Sequence, residues 1–185
     1  MRIAVYPGSF DPLHIGHQAI MEYLTRDSGF DWVYLVISPQ NPFKEPEKAL
    51  NAEQRYRDAI AAARRNPELH VWVDNIELSM DPPHYTIRTL DALRQREPEN
   101  EFTLVVGADN LQRILQWRSS FRILTEYGIA VYPRRGYDVE AIRDGILKIL
   151  PCSKIQIINA PIIDISSTRI REGIANGENM SNWMM

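Results

Sequence analysis

The order of apolar and amphipathic segments predicts an α/β fold, a doubly wound, mostly parallel, Rossmann-like sheet with helices on both faces. Three observations point to it. Short apolar runs alternate with segments of helical period along all 185 residues, the pattern of consecutive strand–helix units. Two of those runs, Asp31–Ser38 and Glu101–Gly107, are apolar almost throughout, as strands covered on both faces are. The polar, glycine-bearing and proline-bearing segments follow strands, where ligands bind in such sheets.

Taken in order, the first strand is Ile3–Tyr6, and Gly8 and Pro12 turn the chain behind it. Glycine tolerates positive φ there, and proline has its φ fixed. A helix is expected from near Gly16, because Ala19, Ile20, Tyr23 and Leu24 recur at helical spacing. Asp31–Ser38 is the second strand, and Pro39–Glu47, with three prolines, is the loop at its C-terminal end. Asn51 or its neighbour caps a helix over Ala52–Arg65, which Asn66-Pro67 stops. His70–Asp74 reads as a short strand, Asp81-Pro82-Pro83 as a break, and Tyr85–Gln95 as a helix. After the strand Glu101–Gly107, a helix over Leu111–Leu124 is expected, interrupted near Trp117. The strand Gly128–Tyr132, the helix Val139–Leu150, the strand Ile155–Asn159 and the helix Ser166–Ala175 complete the series. With no repeat, low-complexity tract or linker, residues 1–185 read as a single domain.

Composition narrows the function classes. The chain is 44% hydrophobic and 24% charged with a net charge of −3, so no global field favours nucleic acid as a partner. A single cysteine excludes an internal disulfide framework and fits a reducing compartment. No apolar run is long enough to span a bilayer, and the N-terminus enters strand residues with no signal segment. A cytoplasmic protein without a membrane partner is expected.

The chemistry-bearing residues start at the first turn. His14 and His17 arrive in order after strand, glycine turn and helix start. A helix N-terminus carries free N–H groups and partial positive charge, so two imidazoles there suit a polyphosphate. A metal site would need further ligands, which Cys152, His70 and His84 do not supply nearby in sequence. Gly107-Ala108-Asp109 ends a buried strand, where the glycine admits a nucleotide and the carboxylate either accepts from ribose hydroxyls or caps a helix. Trp117, between Gln116 and Arg118, is a half-buried core residue or a stacking surface. Tyr85 and Thr86 open a helix after Pro83, either as capping and packing groups or as a second anion-binding end. Lys44 in the proline loop and Arg134 after the fifth strand are surface charges or phosphate contacts. Ser166, Ser167 and Thr168 at a helix start, with Arg171 one turn on, combine hydroxyls, N–H groups and a guanidinium as an anion site does.

Gly-Ser-Phe-Asp-Pro-Leu-His-Ile-Gly-His over residues 8–17 resembles the signature of the HxGH nucleotidyltransferase superfamily, and Ile-Ser-Ser-Thr-Arg-Ile-Arg over 165–171 resembles the string that closes its ATP site. Tyr-Thr-x-x-Thr-Leu at 85–90, Gly-x-Asp at 107–109 with Trp117 beyond it, and the Arg134 turn resemble the nicotinate-mononucleotide adenylyltransferase family in particular. The resemblance implies transfer of the adenylyl group of ATP to nicotinate mononucleotide, giving deamido-NAD and pyrophosphate in NAD synthesis. It implies His14 and His17 as catalytic. For the ATP site it implies Gly8, Ser9, Phe10, His14, His17, Gly107, Asp109, Arg134, Ile165, Ser167, Thr168 and Arg171. For the mononucleotide site it implies Lys44, Tyr85, Thr86 and Trp117. Mg²⁺ is expected on the ATP phosphates, with no metal held by side chains alone. Phe43 and Arg135 depart from the family pattern, which has a histidine and a proline there, and the chain stops at Met185 where the family continues with a further helical segment. Another acceptor or nucleotide for the same chemistry, and a non-catalytic nucleotide-binding module, stay open as readings of the residues.

Overall fold

The computed structural model describes residues 1–39 and 52–185. Among the described residues are six strands in one all-parallel sheet, ordered β3-β2-β1-β4-β5-β6. The strands are β1 (Arg2–Gly8), β2 (Trp32–Ile37), β3 (Val71–Asp74), β4 (Glu101–Gly107), β5 (Ile129–Tyr132) and β6 (Ile155–Ile157). The helices are α1 (Ile15–Arg26), α2 (Ala52–Arg65), α3 (Thr86–Arg96), α4 (Ala108–Leu111), α5 (Ser120–Arg122), α6 (Val139–Ile149) and α7 (Ser167–Ala175).

Alternation along each strand builds the two layers. In β1, Ala4 and Tyr6 face one core with Ile20, Met21 and Leu24 of α1 and Ala59 and Ala62 of α2. Ile3 and Val5 face the other, with Ile87, Leu90 and Leu93 of α3 and Leu111, Ile114, Ile123 and Leu124. Because both faces are covered, β1, β2, β4 and β5 must be apolar at consecutive positions. A parallel sheet in the order 3-2-1-4-5-6 reverses its winding between β1 and β4, and the ligand crevice of such a sheet lies beyond the strand ends at that point. Gly8 and Gly107 terminate those two strands.

The helix expected over Leu111–Leu124 with an interruption near Trp117 is interrupted there, and is divided more finely than expected. It is α4, a 3₁₀ turn at Ile114–Gln116, α5, and a π turn at Ile123–Tyr127. Trp117 is extended (φ −76°, ψ 150°) and Ser119 left-handed (φ 55°), so the i→i−4 ladder cannot run through them. His70, expected in β3, instead ends a 3₁₀ turn at Pro67–Leu69 in the left-handed region (φ 50°), and the strand begins at Val71. No helix among the described residues is long and apolar enough to cross a membrane.

Candidate active site

The turn between β1 and α1 is built differently from the expectation. Its left-handed residue is Phe10 (φ 48°), and Gly8 does not have positive φ. Gly8 is needed for space, since a Cβ there would stand 2.9 Å from the Phe10 ring. Phe10 is buried and packs edge-on against Tyr6 (5.2 Å) and His17 (5.0 Å). It therefore braces a histidine from behind.

His14 is the N-cap of α1. Its Nδ1 accepts from the Gly16 N–H at 3.1 Å, and His17 Nδ1 accepts from the His14 N–H at 3.2 Å. The two imidazoles thus play the reciprocal parts that Ser and Glu play in a capping box. Gly16 has to lack a side chain, because a Cβ would meet the His14 ring at 2.9 Å. With both Nδ1 atoms accepting, the neutral rings carry their proton on Nε2. They stack 3.7 Å apart at 24°. Burial, with Arg134 nearby, holds His14 down to about 4. Burial, then His14, then Arg134 hold His17 well below its ordinary range. At neutral pH the ligand-free site therefore presents two uncharged N–H donors.

A cavity of about 200 Å³ opens over these rings and is lined by His14, Gly16, His17, Arg134, Ile165 and Ser167, among others. A second, of about 280 Å³, is lined by Gly8, Ser38, His84, Thr86, Gly107 and Trp117, among others. Tyr6 and Tyr132 line both. A more open depression adjoins the first through Arg134 and Ile165 and includes Asp109.

The carboxylate of Asp109 is on the second residue of the short α4, not at its N-cap. Its Oδ1 is buried with no hydrogen-bond partner, 3.6 Å from Arg134 Nε. A Cβ on Gly107 would meet that oxygen at 2.5 Å and Arg134 and Tyr132 at 3.1 Å. The bare backbone of Gly107 is what lets three side chains converge at the end of β4.

Helix α7 closes the first cavity and is stapled to the opening turn. Ser166 caps it, accepting from the Arg169 N–H at 3.1 Å. Ser167 Oγ donates to the Pro12 carbonyl at 2.9 Å. Arg171 donates through Nη1 to the Asp11 carbonyl at 2.5 Å and through Nη2 to Thr168 Oγ1 at 3.2 Å. Ser167 is thus brought to the histidines, while Thr168 and Arg171 lie outside the cavity lining and hold the turn. Ser9 is exposed, and its carbonyl accepts from Arg55 at 2.6 Å. Tyr85 is also exposed, with the Arg118 guanidinium 5.6 Å over its ring, and lines neither cavity. Lys44 lies outside the described residues.

Several residues at the site escaped the sequence reading. Arg55 of α2 is 1% exposed and donates to the Ser9 and Ser38 carbonyls, tying the ends of β1 and β2 together. Its signal was available: Arg55, Ala59 and Ala62 share one helix stripe, and a cation in a buried stripe asks for acceptors. Tyr6 and Tyr132 read only as strand residues. In the second cavity, His84 bonds the Met80 carbonyl through Nε2 (2.9 Å), and the buried Glu77 accepts from Thr89 Oγ1 (2.7 Å).

A doubly wound parallel sheet whose first helix is capped by two stacked, neutral imidazoles beside a guanidinium is the framework of a nucleotidyltransferase, and residues 5–173 match the family model described as cytidylyltransferase-like. Proteins of Flavobacterium psychrophilum and Bacteroides fragilis, both named "Probable nicotinate-nucleotide adenylyltransferase", are 38% and 37% identical to the chain. The alignments cover 97% and 99% of it and 90% and 87% of those relatives. The chain belongs to the nicotinate-nucleotide adenylyltransferase family. Its fold is that of the Plasmodium falciparum nicotinic acid mononucleotide adenylyltransferase solved with NaAD, with a TM-score of 0.77 at 20% identity over 98% of this chain and 87% of that one.

Proposed function

We propose that this chain moves the adenylyl group of ATP onto the phosphate of nicotinate mononucleotide, releasing pyrophosphate, and that residues 1–185 act as one nucleotidyltransferase domain. The observation that carries the reading is the pair of adjoining cavities, one over the histidines and one walled by Thr86 and Trp117. A triphosphate in the first and a mononucleotide in the second would meet at their shared wall.

In this reading the acceptor phosphate is already an ionised nucleophile near neutral pH, so no general base is needed. Catalysis reduces to alignment and stabilisation of spreading negative charge. The Nε2 donors of His14 and His17 and the Arg134 guanidinium face the triphosphate. The Asp109 oxygen that lacks a hydrogen-bond partner accepts from a ribose hydroxyl, and Trp117 stacks on the pyridine ring. Ser167, Thr168 and Arg171 are assigned to the β,γ-phosphates with Ile165 beside adenine, although Arg171 also holds the Asp11 carbonyl. Gly8, Ser9 and Phe10 shape the turn. Lys44 is assigned to the mononucleotide phosphate, and the amide end of α3 at Tyr85–Thr86 to the nicotinate carboxylate. Mg²⁺ is assigned to the ATP phosphates, because this ion is commonly held by phosphates and water. Bound there, it would neutralise charge on the leaving pyrophosphate.

Pyrophosphate release from ATP with nicotinate mononucleotide, nicotinamide mononucleotide and pantetheine phosphate tests the assignment. Turnover is expected with the first and a higher kcat/KM for it than for the second. His17→Ala should lose roughly 10²–10³ in kcat, about 3–4 kcal/mol of transition-state stabilisation, while still folding. Wild-type protein that binds ATP yet releases no pyrophosphate with any of the three would refute the reading.

A further inference from the structure

Of the residues lining the two cavities, Tyr6 and Tyr132 are the two common to both. They come from the C-terminal parts of β1 and β5, on either side of β4, and face the same core layer. Their ring centroids lie 6.0 Å apart at 67°. The ring of Tyr132 reaches across because β4 ends in Gly107, where a Cβ would stand 3.1 Å from it. Each is held from behind: Tyr6 packs edge-on to Phe10 at 5.2 Å and lies 6.2 Å from the His17 ring. The Arg134 guanidinium stands 5.4 Å over the ring of Tyr132. Tyr6 is 4% exposed and Tyr132 8%. Such rings would serve packing equally well as phenylalanine; the hydroxyls of the two tyrosines interact with each other, and that of Tyr132 also with the Arg134 guanidinium, so together they form one polar group at the seam.

We infer that Tyr6 and Tyr132 are catalytic residues that donate hydrogen bonds to non-bridging oxygens of the phosphoryl groups reacting at the junction of the two cavities, an inference that rests on the substrate reading above. The acceptor oxygen forms a bond to the α-phosphorus as the bond from that phosphorus to the bridging oxygen breaks, and the electron pair leaves with pyrophosphate. No proton has to move. The Tyr6 phenol keeps its own: burial first, and then Tyr132, raise its hydroxyl well above the ordinary tyrosine range, against a smaller opposing pull from Arg134. Hydroxyls at the seam of two pockets would touch the group in transit more fully than either bound substrate, so their contribution belongs in kcat and not in KM.

The test is Tyr6→Phe and Tyr132→Phe, each assayed in both directions, with ATP plus nicotinate mononucleotide and with deamido-NAD plus pyrophosphate. Each substitution keeps the ring and its packing. A hydrogen bond to a charged group has a size that predicts a loss of roughly 10- to 100-fold in kcat in both directions. KM values are expected within about twofold of wild type, and melting temperatures close to it. Should Tyr6→Phe fold poorly, Tyr132→Phe carries the same prediction. Unchanged kcat in the folded variants, or an effect confined to KM, overturns the inference while the substrate reading stands. Wild-type enzyme that makes no pyrophosphate overturns the substrate reading, and the inference with it.

Discussion

At the residue scale, the site is shaped as much by missing side chains as by present ones. Gly8 yields to the Phe10 ring, Gly16 to the His14 ring, and Gly107 to Asp109, Arg134 and Tyr132 together. The first two need space and not an unusual backbone, which is why positive φ was the wrong reason to expect glycine at position 8. Gly107→Ala separates these ideas from simple strand propensity. Its Cβ would stand 2.5 Å from a buried carboxylate oxygen, so that oxygen has to move. The cost of such overpacking is about 1–3 kcal/mol. A lower melting temperature and a KM for ATP raised several-fold are expected, with KM for the mononucleotide the less affected. A variant with wild-type KM for ATP would show that Asp109 and Arg134 need not hold their positions.

At the element scale, α7 works as a clamp on the turn that holds the histidines. Ser167 grips the Pro12 carbonyl and Arg171 the Asp11 carbonyl, across more than 150 residues of sequence. Antiparallel pairing of His14 with Met184 adds a third hold on the same segment. Ser167→Ala removes one hydrogen bond and should cost about 0.5–1.5 kcal/mol in a denaturant titration. Faster amide exchange across residues 9–17 should accompany it, with little change in the sheet. Exchange that quickens equally in β4 would assign Ser167 to general stability instead. On the other flank Arg55 holds Ser9 and Ser38, so the turn is gripped by both α2 and α7.

Across the whole molecule, the two buried imidazoles make stability depend on pH in the absence of ligand. Folded His14 titrates at about 4, and His17 is shifted in the same direction, whereas unfolded histidines titrate near 6.5. Between those values the unfolded chain binds more protons, so lowering the pH favours unfolding. The contribution is fully present above about pH 6.5 and is lost progressively toward pH 4. The melting temperature of ligand-free protein should fall from about pH 7 to about pH 5, before most carboxylates titrate. His14→Gln should flatten that fall. An equal slope in the variant would mean that His14 is already protonated in the folded state.

Periodicity and punctuation were enough for the strand–helix alternation, because a strand covered on both faces must be apolar at successive positions and a helix must bury a stripe. They also placed His14, His17, Gly107, Asp109 and Ser167 at strand ends and helix starts. The sequence alone suggested the break near Trp117 but did not reveal the division of this stretch into α4, a 3₁₀ turn, α5 and a π turn, of which all but α5 send buried side chains into the core. Nor did it reveal that Tyr6 and Tyr132, one strand apart and 126 positions distant in sequence, share a wall between two cavities. Local pattern records which face of an element is buried. Which buried groups meet across the end of a sheet is set by strand order, and strand order is written only in the folded chain.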